Sequence, residues 1–350
     1  MKRIFITGGH LAPAKTVIRE LQRQGGWEIF YVGRKYSMEG ESALALEYQE
    51  LSSSGNLKYL TIITGRLQRK FFVKTGQSIK SLLKVPVGFI QALYWVLRYR
   101  PQAVLSFGGY VAVPVVMVAW LWGVPVVTHE QTKSVGLANR IIRLLGAKVL
   151  DVGNPIRQEI LSQSPAASDK PPMIYITGGN QGSHAINLAV SEIVGKLTKK
   201  YQVIHQTGDS SFNDYEKSEK LGIKNYTVKR FLTGEESAQT LSLARIVVSR
   251  AGANTIEEIA YLGKPAILIP IPWSSGGEQQ KNAEMLADLK MAEIISQDKL
   301  SGETLLAAIN KIEKNYPAYL ENAKRGKTLV HPDAAEKIVA AVSRMLERPE

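Results

Sequence analysis

Short apolar runs rich in β-branched residues alternate with longer segments along the whole chain. In the longer segments the apolar positions recur every three to four residues, which is the spacing of an amphipathic helix. Strands that alternate with helices form parallel sheets, because each helix returns the chain to the starting edge. The pattern predicts an α/β protein with strands at residues 4–6, 29–32, 59–63, 103–105, 124–127, 148–150, 173–176, 201–205, 226–228, 245–248, 266–269 and 292–295.

A break in this pattern divides the strands into two sets. Residues 161–170 are small, polar and aperiodic, as linkers and domain boundaries are. We predict a first domain over residues 1–155, a linker over 156–170 and a second domain over 171–330. A last helix is predicted within residues 331–350, and packing of this helix on the first domain is one option.

Each set begins with a strand that runs into a glycine turn. Gly8-Gly9-His10 follows the first strand, and Gly178-Gly179-Asn180-Gln181-Gly182 follows the first strand of the second set. A backbone without Cβ can approach a phosphate closely, and the first N–H groups of the next helix point at it. Neither turn has the complete dinucleotide pattern, so phosphate or sugar-phosphate is favoured over NAD. Ligands of such sheets bind at the carboxyl ends of the strands, which predicts a cleft between the domains.

Further polar residues follow later strands. Glu258 lies one turn into a helix that begins after Gly252, where a carboxylate can accept both hydroxyls of a ribose. The alternative is that Glu257 and Glu258 merely complement the positive helix end. Arg250 and Lys264 have a similar alternative as solvated surface residues. The amides of Gln279 and Gln280 suit sugar hydroxyls, although surface glutamines are equally common.

Four of the five histidines, His10, His129, His184 and His205, lie at or near strand ends. His10 is placed to remove a proton near neutral pH, since an ordinary imidazole has a pKa of about 6.5. A capping or buried, hydrogen-bonded histidine is the alternative. The sequence lacks the usual metal-binding spacings, and it contains no cysteine, which excludes disulfides and thiolate zinc sites.

The net charge of +13 is concentrated in the first part of the chain. Residues 1–153 hold 20 Lys and Arg against 8 Asp and Glu, whereas the rest holds 24 against 23. Residues 51–129 contain no acidic residue, and their cations are interspersed with aromatic side chains. This mixture favours an anionic membrane surface over nucleic acid, and a solvated basic face is the third option.

Residues 111–127 are the most apolar stretch, but Pro114, Gly123 and Pro125 interrupt them. They are also shorter than the roughly 20 residues that a membrane span needs. A buried helix followed by a strand is therefore expected. At the start of the chain, Gly8-Gly9 interrupts the apolar run too early for a secretion signal, and we expect none.

Together these segments resemble the MurG family, which transfers N-acetylglucosamine from UDP-GlcNAc to lipid I in bacterial cell-wall synthesis. The resemblance extends from residue 6 to about residue 292. It is carried, in order, by Thr7-Gly8-Gly9-His10-Leu11-Ala12-Pro13-Ala14, Phe107-Gly108-Gly109-Tyr110-Val111, Pro125-Val126-Val127-Thr128-His129-Glu130-Gln131, Gly153-Asn154-Pro155-Ile156-Arg157, Gly178-Gly179-Asn180-Gln181-Gly182-Ser183, Arg250-Ala251-Gly252-Ala253-Asn254-Thr255-Ile256-Glu257-Glu258 and Gln279-Gln280-Lys281-Asn282-Ala283.

The resemblance implies a GT-B fold, in which two doubly wound, Rossmann-like α/β domains face each other across a cleft. It further implies an inverting transfer that needs neither a metal ion nor another cofactor, with His10 as the base and Glu130 as the reserve. UDP-GlcNAc would bind the second domain, with Glu258 on the ribose and Arg157 near the diphosphate. The implied donor residues are Arg157, Gly179, Asn180, Gln181, Gly182, Arg250, Ala253, Asn254, Thr255, Glu258, Gln279 and Gln280, and the implied acceptor residues are Gly8, Gly9, Gly108, Gly109, Tyr110, His129, Gln131 and Asn139.

The same resemblance implies a peripheral protein on the cytoplasmic face of the cell membrane, with other cell-wall synthesis proteins as candidate partners. The chain departs from the family pattern at Phe5-Ile6, Asn180, Thr132 and Glu278, and the last departure weakens one donor-sugar contact. Two alternatives keep the fold: a transferase with another lipid acceptor such as diacylglycerol, and a non-catalytic nucleotide-sugar binding protein. An NAD oxidoreductase is the weakest alternative.

Overall fold

The structure is a computed structural model that describes residues 1–36, 44–65, 75–131, 142–143, 146–164, 166, 171–179, 181–209 and 211–347. The chain forms two compact units. The first contains Met1–Pro155 together with Asp333–Glu350, and the second contains Ile156–Pro332. Each unit is built on one six-stranded parallel sheet.

The sheet of the first unit has the strand order β3-β2-β1-β4-β5-β6. Strand β1 lies at its centre, where Ile6 pairs with Tyr31 on one side and with Leu105 on the other. The strands are β1 (Lys2–Thr7), β2 (Trp27–Gly33), β3 (Lys58–Thr61), β4 (Ala103–Ser106), β5 (Val126–His129) and β6 (Lys148–Leu150). The helices are α1 (Leu11–Gln24), α2 (Leu46–Leu51), α3 (Thr75–Tyr99) and α4 (Ala112–Leu121), with α13 (Ala334–Leu346) at the end of the chain.

Both faces of this sheet are buried, which explains why its strands are apolar on both sides. On one face, Val17 and Leu21 of α1 pack with Ile338 and Val342 of α13. The opposite face is covered by α3 and α4, for example through Val96 and Val116. The C-terminal helix therefore completes one of the two cores of the first unit.

The sheet of the second unit has the order β12-β11-β10-β7-β8-β9. Its two cores lie on opposite faces, one under α8, α9 and α10 and the other under α6 and α11. The strands are β7 (Met173–Thr177), β8 (Gln202–Gln206), β9 (Tyr226–Lys229), β10 (Ile246–Ser249), β11 (Ala266–Leu268) and β12 (Ala292–Ile294). The helices are α5 (Gln158–Leu161), α6 (His184–Leu197), α7 (Asp214–Glu219), α8 (Gly234–Leu243), α9 (Ala253–Tyr261), α10 (Glu278–Asp288), α11 (Gly302–Lys314) and α12 (Tyr316–Lys324).

All twelve expected strands are present, with ends within two residues of the expected ones. The apolar stretch at 111–127 forms the largely buried helix α4 followed by β5, as expected. Within the described parts of the chain, no helix has both the length and the apolarity that crossing a bilayer requires.

The position of α13 leads to a stability prediction. Ile338 is fully buried, so Ile338→Ala should lower the free energy of unfolding by about 2–5 kcal/mol, because it leaves a cavity in the core. Lys337→Ala on the exposed side of the same helix should cost less than about 1 kcal/mol, since it removes only a surface ion pair. Urea denaturation followed by circular dichroism measures both. Equal losses in the free energy of unfolding for the two variants would contradict the packing of α13 on the first sheet.

Candidate active site

The first glycine turn is fixed by backbone-to-backbone contact. Gly9 N–H donates to the carbonyl oxygen of Gly108 at 3.0 Å. A Cβ on Gly109, which has φ +80°, would lie 3.0 Å from the nitrogen of Gly9. At Gly8, with φ +152°, a Cβ would lie 2.7 Å from the Cβ of Phe107. Side chains at these positions would separate the turn after β1 from the turn after β4.

His10 is the N-cap residue of α1, with extended backbone at φ −115°. Its side chain is exposed, yet the pKa of the imidazole lies below its ordinary value of 6.5, chiefly because the surrounding protein disfavours the charged form. The charge of Glu130 acts in the opposite direction. The imidazole is thus kept neutral while it remains open to a ligand, which are the two properties that a general base requires.

His129 at the end of β5 has a different environment. Only 1% of the residue is exposed, and its Nε2 lies 2.8 Å from the carbonyl oxygen of Gly153, so this nitrogen carries the hydrogen. Burial lowers the pKa of His129. In this conformation the ring has almost no surface for a ligand, and it instead fixes the start of the half-buried Glu130-Gln131 segment.

Tyr110 follows Gly109, and its hydroxyl contacts Arg34, which in turn pairs with Glu47. Arg34, the first residue after β2, donates from Nη1 to the hydroxyl of Tyr110 at 3.1 Å and from Nε to Glu47 at 3.0 Å. Sequence reasoning missed both Arg34 and Glu47. The available signal was that Arg34 directly follows a strand, as the recognised candidates do.

The second glycine turn uses the same kind of contact in the second unit. Gly182 has φ +72°, and a Cβ there would collide with the carbonyl oxygen of Thr207 and lie 2.9 Å from the Cα of Gly208. Gly179 N–H donates to the hydroxyl of Thr177 at 3.0 Å. Gln181 is exposed at the tip of this turn, and Asn180 lies outside the described residues.

A buried polar network supports this turn from beneath. Asn187 donates to the carbonyl oxygen of Thr207 at 3.1 Å and to the carboxylate of Asp214 at 2.9 Å. His205 contacts the Asn187 side chain at 3.0 Å, and burial lowers the pKa of His205 to about 4. The carboxylate of Asp214 also lies 2.9 Å from Nδ1 of His184, the first residue of α6. These side chains join α6, α7 and β8 and hold the Thr207 carbonyl against which Gly182 of the turn packs.

Arg157 and Glu258 form a bidentate ion pair across 101 residues of sequence, with N···O distances of 2.7 and 2.9 Å. Arg157 also donates to the carbonyl oxygen of Gly234 and to the hydroxyl of Ser237. Four of its five N–H groups are therefore engaged. Here the guanidinium orients the Glu258 carboxylate. These hydrogen bonds use N–H groups that the diphosphate contact implied by the resemblance would also need.

Glu257, beside this pair, lies in a different environment. Burial, reinforced by the charge of Glu258, raises the pKa of Glu257 to about 8. Its Oε2 is buried and has no hydrogen-bond partner among the described residues. Of the two neighbouring carboxyl groups, Glu258 thus has the compensating cation, and Glu257 keeps its proton at neutral pH.

Arg250 and Lys264 are both buried, in contrast to the surface alternative. Arg250 donates to the side chains of Ser183 at 2.7 Å and Gln297 at 2.6 Å and to the carbonyl oxygen of Ile269 at 3.1 Å. Its guanidinium thus supports the start of α6 from within the unit. Lys264 donates to the carbonyl oxygens of Ala166 and Ser242, and burial lowers its pKa to about 8.

The remaining donor candidates lie on two helices. Gln279 accepts at Oε1 from Ile271 N–H at 3.1 Å and so fixes the loop after β11. Gln280 donates to Glu284 at 2.9 Å on the exposed side of α10. Ala253, Asn254 and Thr255 form the first turn of α9, whose N-cap residue is Gly252.

The described residues contain no group of three or more His, Asp or Glu side chains arranged to hold a metal ion. Asn139, the remaining acceptor candidate, lies outside them.

The ionisation of Glu257 leads to a prediction about pH and stability. The folded protein keeps this proton up to about pH 8, whereas an unfolded glutamate releases it near 4.5, so the free energy of unfolding falls as pH rises between these values. Glu257→Gln should therefore gain stability relative to the wild type between pH 5 and pH 8.5, as measured by urea denaturation. Glu303→Gln, at an exposed glutamate, is the control. A difference in the free energy of unfolding between Glu257→Gln and the wild type that does not change with pH would contradict the prediction.

Comparison with known proteins identifies the family. The glycosyltransferase family 28 N-terminal domain matches residues 7–150, and the C-terminal domain of the same family matches residues 173–338. Two full-length relatives, from Clostridium kluyveri and Lachnoclostridium phytofermentans, are 31% and 33% identical to the chain. The alignments cover 98% and 99% of this chain and 99% of each relative. Both relatives are named UDP-N-acetylglucosamine–N-acetylmuramyl-(pentapeptide) pyrophosphoryl-undecaprenol N-acetylglucosamine transferase.

Solved structures agree with this assignment. The crystal structure of Acinetobacter baumannii MurG superimposes with a TM-score of 0.74 at 26% identity and covers 99% of this chain and 100% of that one. The calicheamicin glycosyltransferase CalG4, at 14% identity and a TM-score of 0.68, covers 99% of both chains and shows similarity of fold alone. The two parallel-sheet units are thus the two domains of a GT-B fold. The chain belongs to glycosyltransferase family 28 and, within it, to the MurG N-acetylglucosamine transferases.

Proposed function

We propose that the protein transfers N-acetylglucosamine from UDP-GlcNAc to the muramyl 4-hydroxyl of lipid I, which forms lipid II and releases UDP. The observation that carries this proposal is the 31–33% sequence identity, over nearly the full length of the chain, with two transferases named for that reaction. The reaction breaks the bond between the anomeric carbon and the UDP oxygen. It forms a bond from that carbon to the acceptor oxygen on the opposite side, with inversion of configuration.

UDP-GlcNAc is assigned to the second unit. A carboxylate accepts about four hydrogen bonds, so Glu258 can bind the two ribose hydroxyls while Arg157 holds it. The second glycine turn and the N-terminus of α6 offer backbone N–H groups to the diphosphate. Because these groups are fixed before the substrate binds, they can stabilise the departing UDP without a divalent ion.

Lipid I is assigned to the first unit. His10 would accept the proton of the muramyl 4-hydroxyl as the oxygen attacks the anomeric carbon, and Glu130 is the reserve. The turns formed by Gly8-Gly9 and Gly108-Gly109 and the adjacent Tyr110 would bind the pyrophosphate and muramyl group of the acceptor. His129, being buried, would support Gln131 in this role.

The role of His10 is tested by transfer of labelled N-acetylglucosamine from UDP-GlcNAc to a soluble lipid I analogue in the presence of EDTA. His10→Ala should lower kcat by roughly a hundredfold to ten-thousandfold, the usual contribution of a general base. His331→Ala, at an exposed histidine near α13, should leave kcat unchanged. Since the pKa of His10 is lowered, the wild-type rate should decline with acid only below pH 6.5.

Transfer that EDTA abolishes would contradict the metal-independent mechanism. Transfer to diacylglycerol but not to the lipid I analogue would change the acceptor assignment. If His10→Ala retained the wild-type kcat, Glu130 would become the candidate base.

We also propose that the protein binds the cytoplasmic face of the cell membrane through the first unit. Ile90, Tyr94 and Leu97 are 67%, 55% and 49% exposed and follow one another at helical spacing along α3. Arg98 and Arg100, beside this stripe, are exposed cations. An apolar stripe with adjacent cations suits the interface of an anionic bilayer. Protein partners in cell-wall synthesis remain a proposal from the family resemblance.

Binding to vesicles tests this surface. Ile90→Glu combined with Leu97→Glu should weaken binding to anionic phosphatidylglycerol vesicles by roughly tenfold or more, because two apolar contacts become charged. Leu221→Glu, at an exposed leucine of the second unit, should bind as the wild type does. Co-sedimentation with anionic and with neutral vesicles measures the effect. Equal losses for both variants would contradict the proposed surface.

A further inference from the structure

Arg34 is held at a fixed position at the carboxyl edge of the first sheet. It directly follows β2, and its carbonyl oxygen accepts a hydrogen bond from the hydroxyl of Tyr59 at 2.6 Å. The preceding residue is closely packed: a Cβ on Gly33 would lie 2.7 Å from the ring of Tyr31 and would collide with the Tyr59 hydroxyl, so both rings would have to move. The backbone that carries the guanidinium is thus fixed by packing.

The Arg34 side chain is fixed as well. Its Nε donates to Glu47 of α2 at 3.0 Å, and the two side chains are 30% and 12% exposed. Nη1 donates to the hydroxyl oxygen of Tyr110 at 3.1 Å, and the guanidinium carbon lies 5.7 Å from the centre of the Tyr110 ring. The contacts to Glu47 and Tyr110 thus hold the guanidinium in one orientation.

This contact determines what Tyr110 can offer to a ligand. Because the phenolic oxygen accepts from Arg34, its own hydrogen points away from the guanidinium. A hydroxyl that accepts a charge-assisted hydrogen bond is polarised and becomes a better donor. Such a hydrogen suits an anionic oxygen.

Tyr110 is connected to the first glycine turn. It follows Gly109, whose backbone packs on Gly9, and Gly9 directly precedes His10. Tyr31 of β2 also donates to the carbonyl oxygen of Gly8 at 3.2 Å. The segment around the end of β2 thus contacts the turn that carries His10 through Tyr31, and it contacts Tyr110 through Arg34.

We propose that Arg34 is a positioning residue for the acceptor: it fixes the hydroxyl of Tyr110 so that its hydrogen is directed at a phosphate oxygen of the acceptor. The inference rests on the transferase function proposed above and extends it to a residue outside the family motifs. Arg34 acts through Tyr110, and Glu47 acts through Arg34.

Steady-state kinetics with UDP-GlcNAc and a soluble lipid I analogue test the inference. Arg34→Gln and Tyr110→Phe should each raise the KM for the analogue about tenfold, as expected for loss of a hydrogen bond to a charged group. The KM for UDP-GlcNAc should change less than about twofold, because that substrate is assigned to the other unit. The double variant should be no worse than the poorer single variant, since both changes remove one interaction.

Two further variants separate positioning from a general loss of structure. Arg34→Lys should recover part of the affinity, because a lysine keeps the charge but cannot donate to Glu47 and Tyr110 in the same fork geometry. Arg3→Gln is the matched control, since Arg3 pairs with Glu28 at 2.9 Å near the amino ends of β1 and β2, at the other end of the strands from Arg34. It should leave both KM values unchanged.

Additive effects in the double variant would overturn the inference. An equal rise in both KM values, or an Arg34→Gln variant that behaves as the wild type, would also overturn it. In these cases the wild type still transfers the sugar and the proposed function stands. A wild type that transfers no sugar to the analogue would overturn the proposed function and, with it, this inference.

Discussion

Close contact between backbones is the constraint on which both candidate substrate regions depend. In the first unit, the turns after β1 and β4 touch through Gly9 and Gly109. In the second unit, the turn after β7 touches the segment after β8 through Gly182 and Gly208. A side chain at Gly109, Gly182 or Gly208 would press on backbone atoms, which cannot move aside as a flexible side chain can. The contacts therefore place peptide groups and helix N-termini together at the strand ends, where an anionic substrate can meet them.

The charged side chains around these turns are arranged in pairs that fix geometry. Arg157 orients Glu258, and Arg34 is held between Glu47 and Tyr110. Glu257, which has no such cation, is neutral at physiological pH because its pKa is raised. As a result, Glu258 lies beside a neutral Glu257 rather than beside a second, repelling carboxylate. In the first unit, the lowered pKa of His10 likewise leaves the candidate base uncharged.

The sequence predicted the strands and the glycine turns well because both depend on local patterns. An apolar strand that ends in Gly-Gly has few other structures open to it, and the order of such segments identified the family. The sequence could not predict side-chain pairs that form between distant positions. Arg157 and Glu258 are 101 residues apart, and Arg34 and Tyr110 are 76 apart. The burial of His129, Arg250 and Lys264 depends in the same way on neighbours that only the folded chain brings together.

The return of α13 to the first unit affects how the protein can fold during synthesis. The second unit is one continuous segment, Ile156–Pro332, whereas the first needs the residues from Asp333 onward to complete one of its cores. Domains usually fold in the order in which the ribosome releases them. Here the later domain can finish folding while the earlier one still exposes the apolar face of α1 and β1. The emerging N-terminal segment therefore presents a surface for chaperones until α13 has been synthesised.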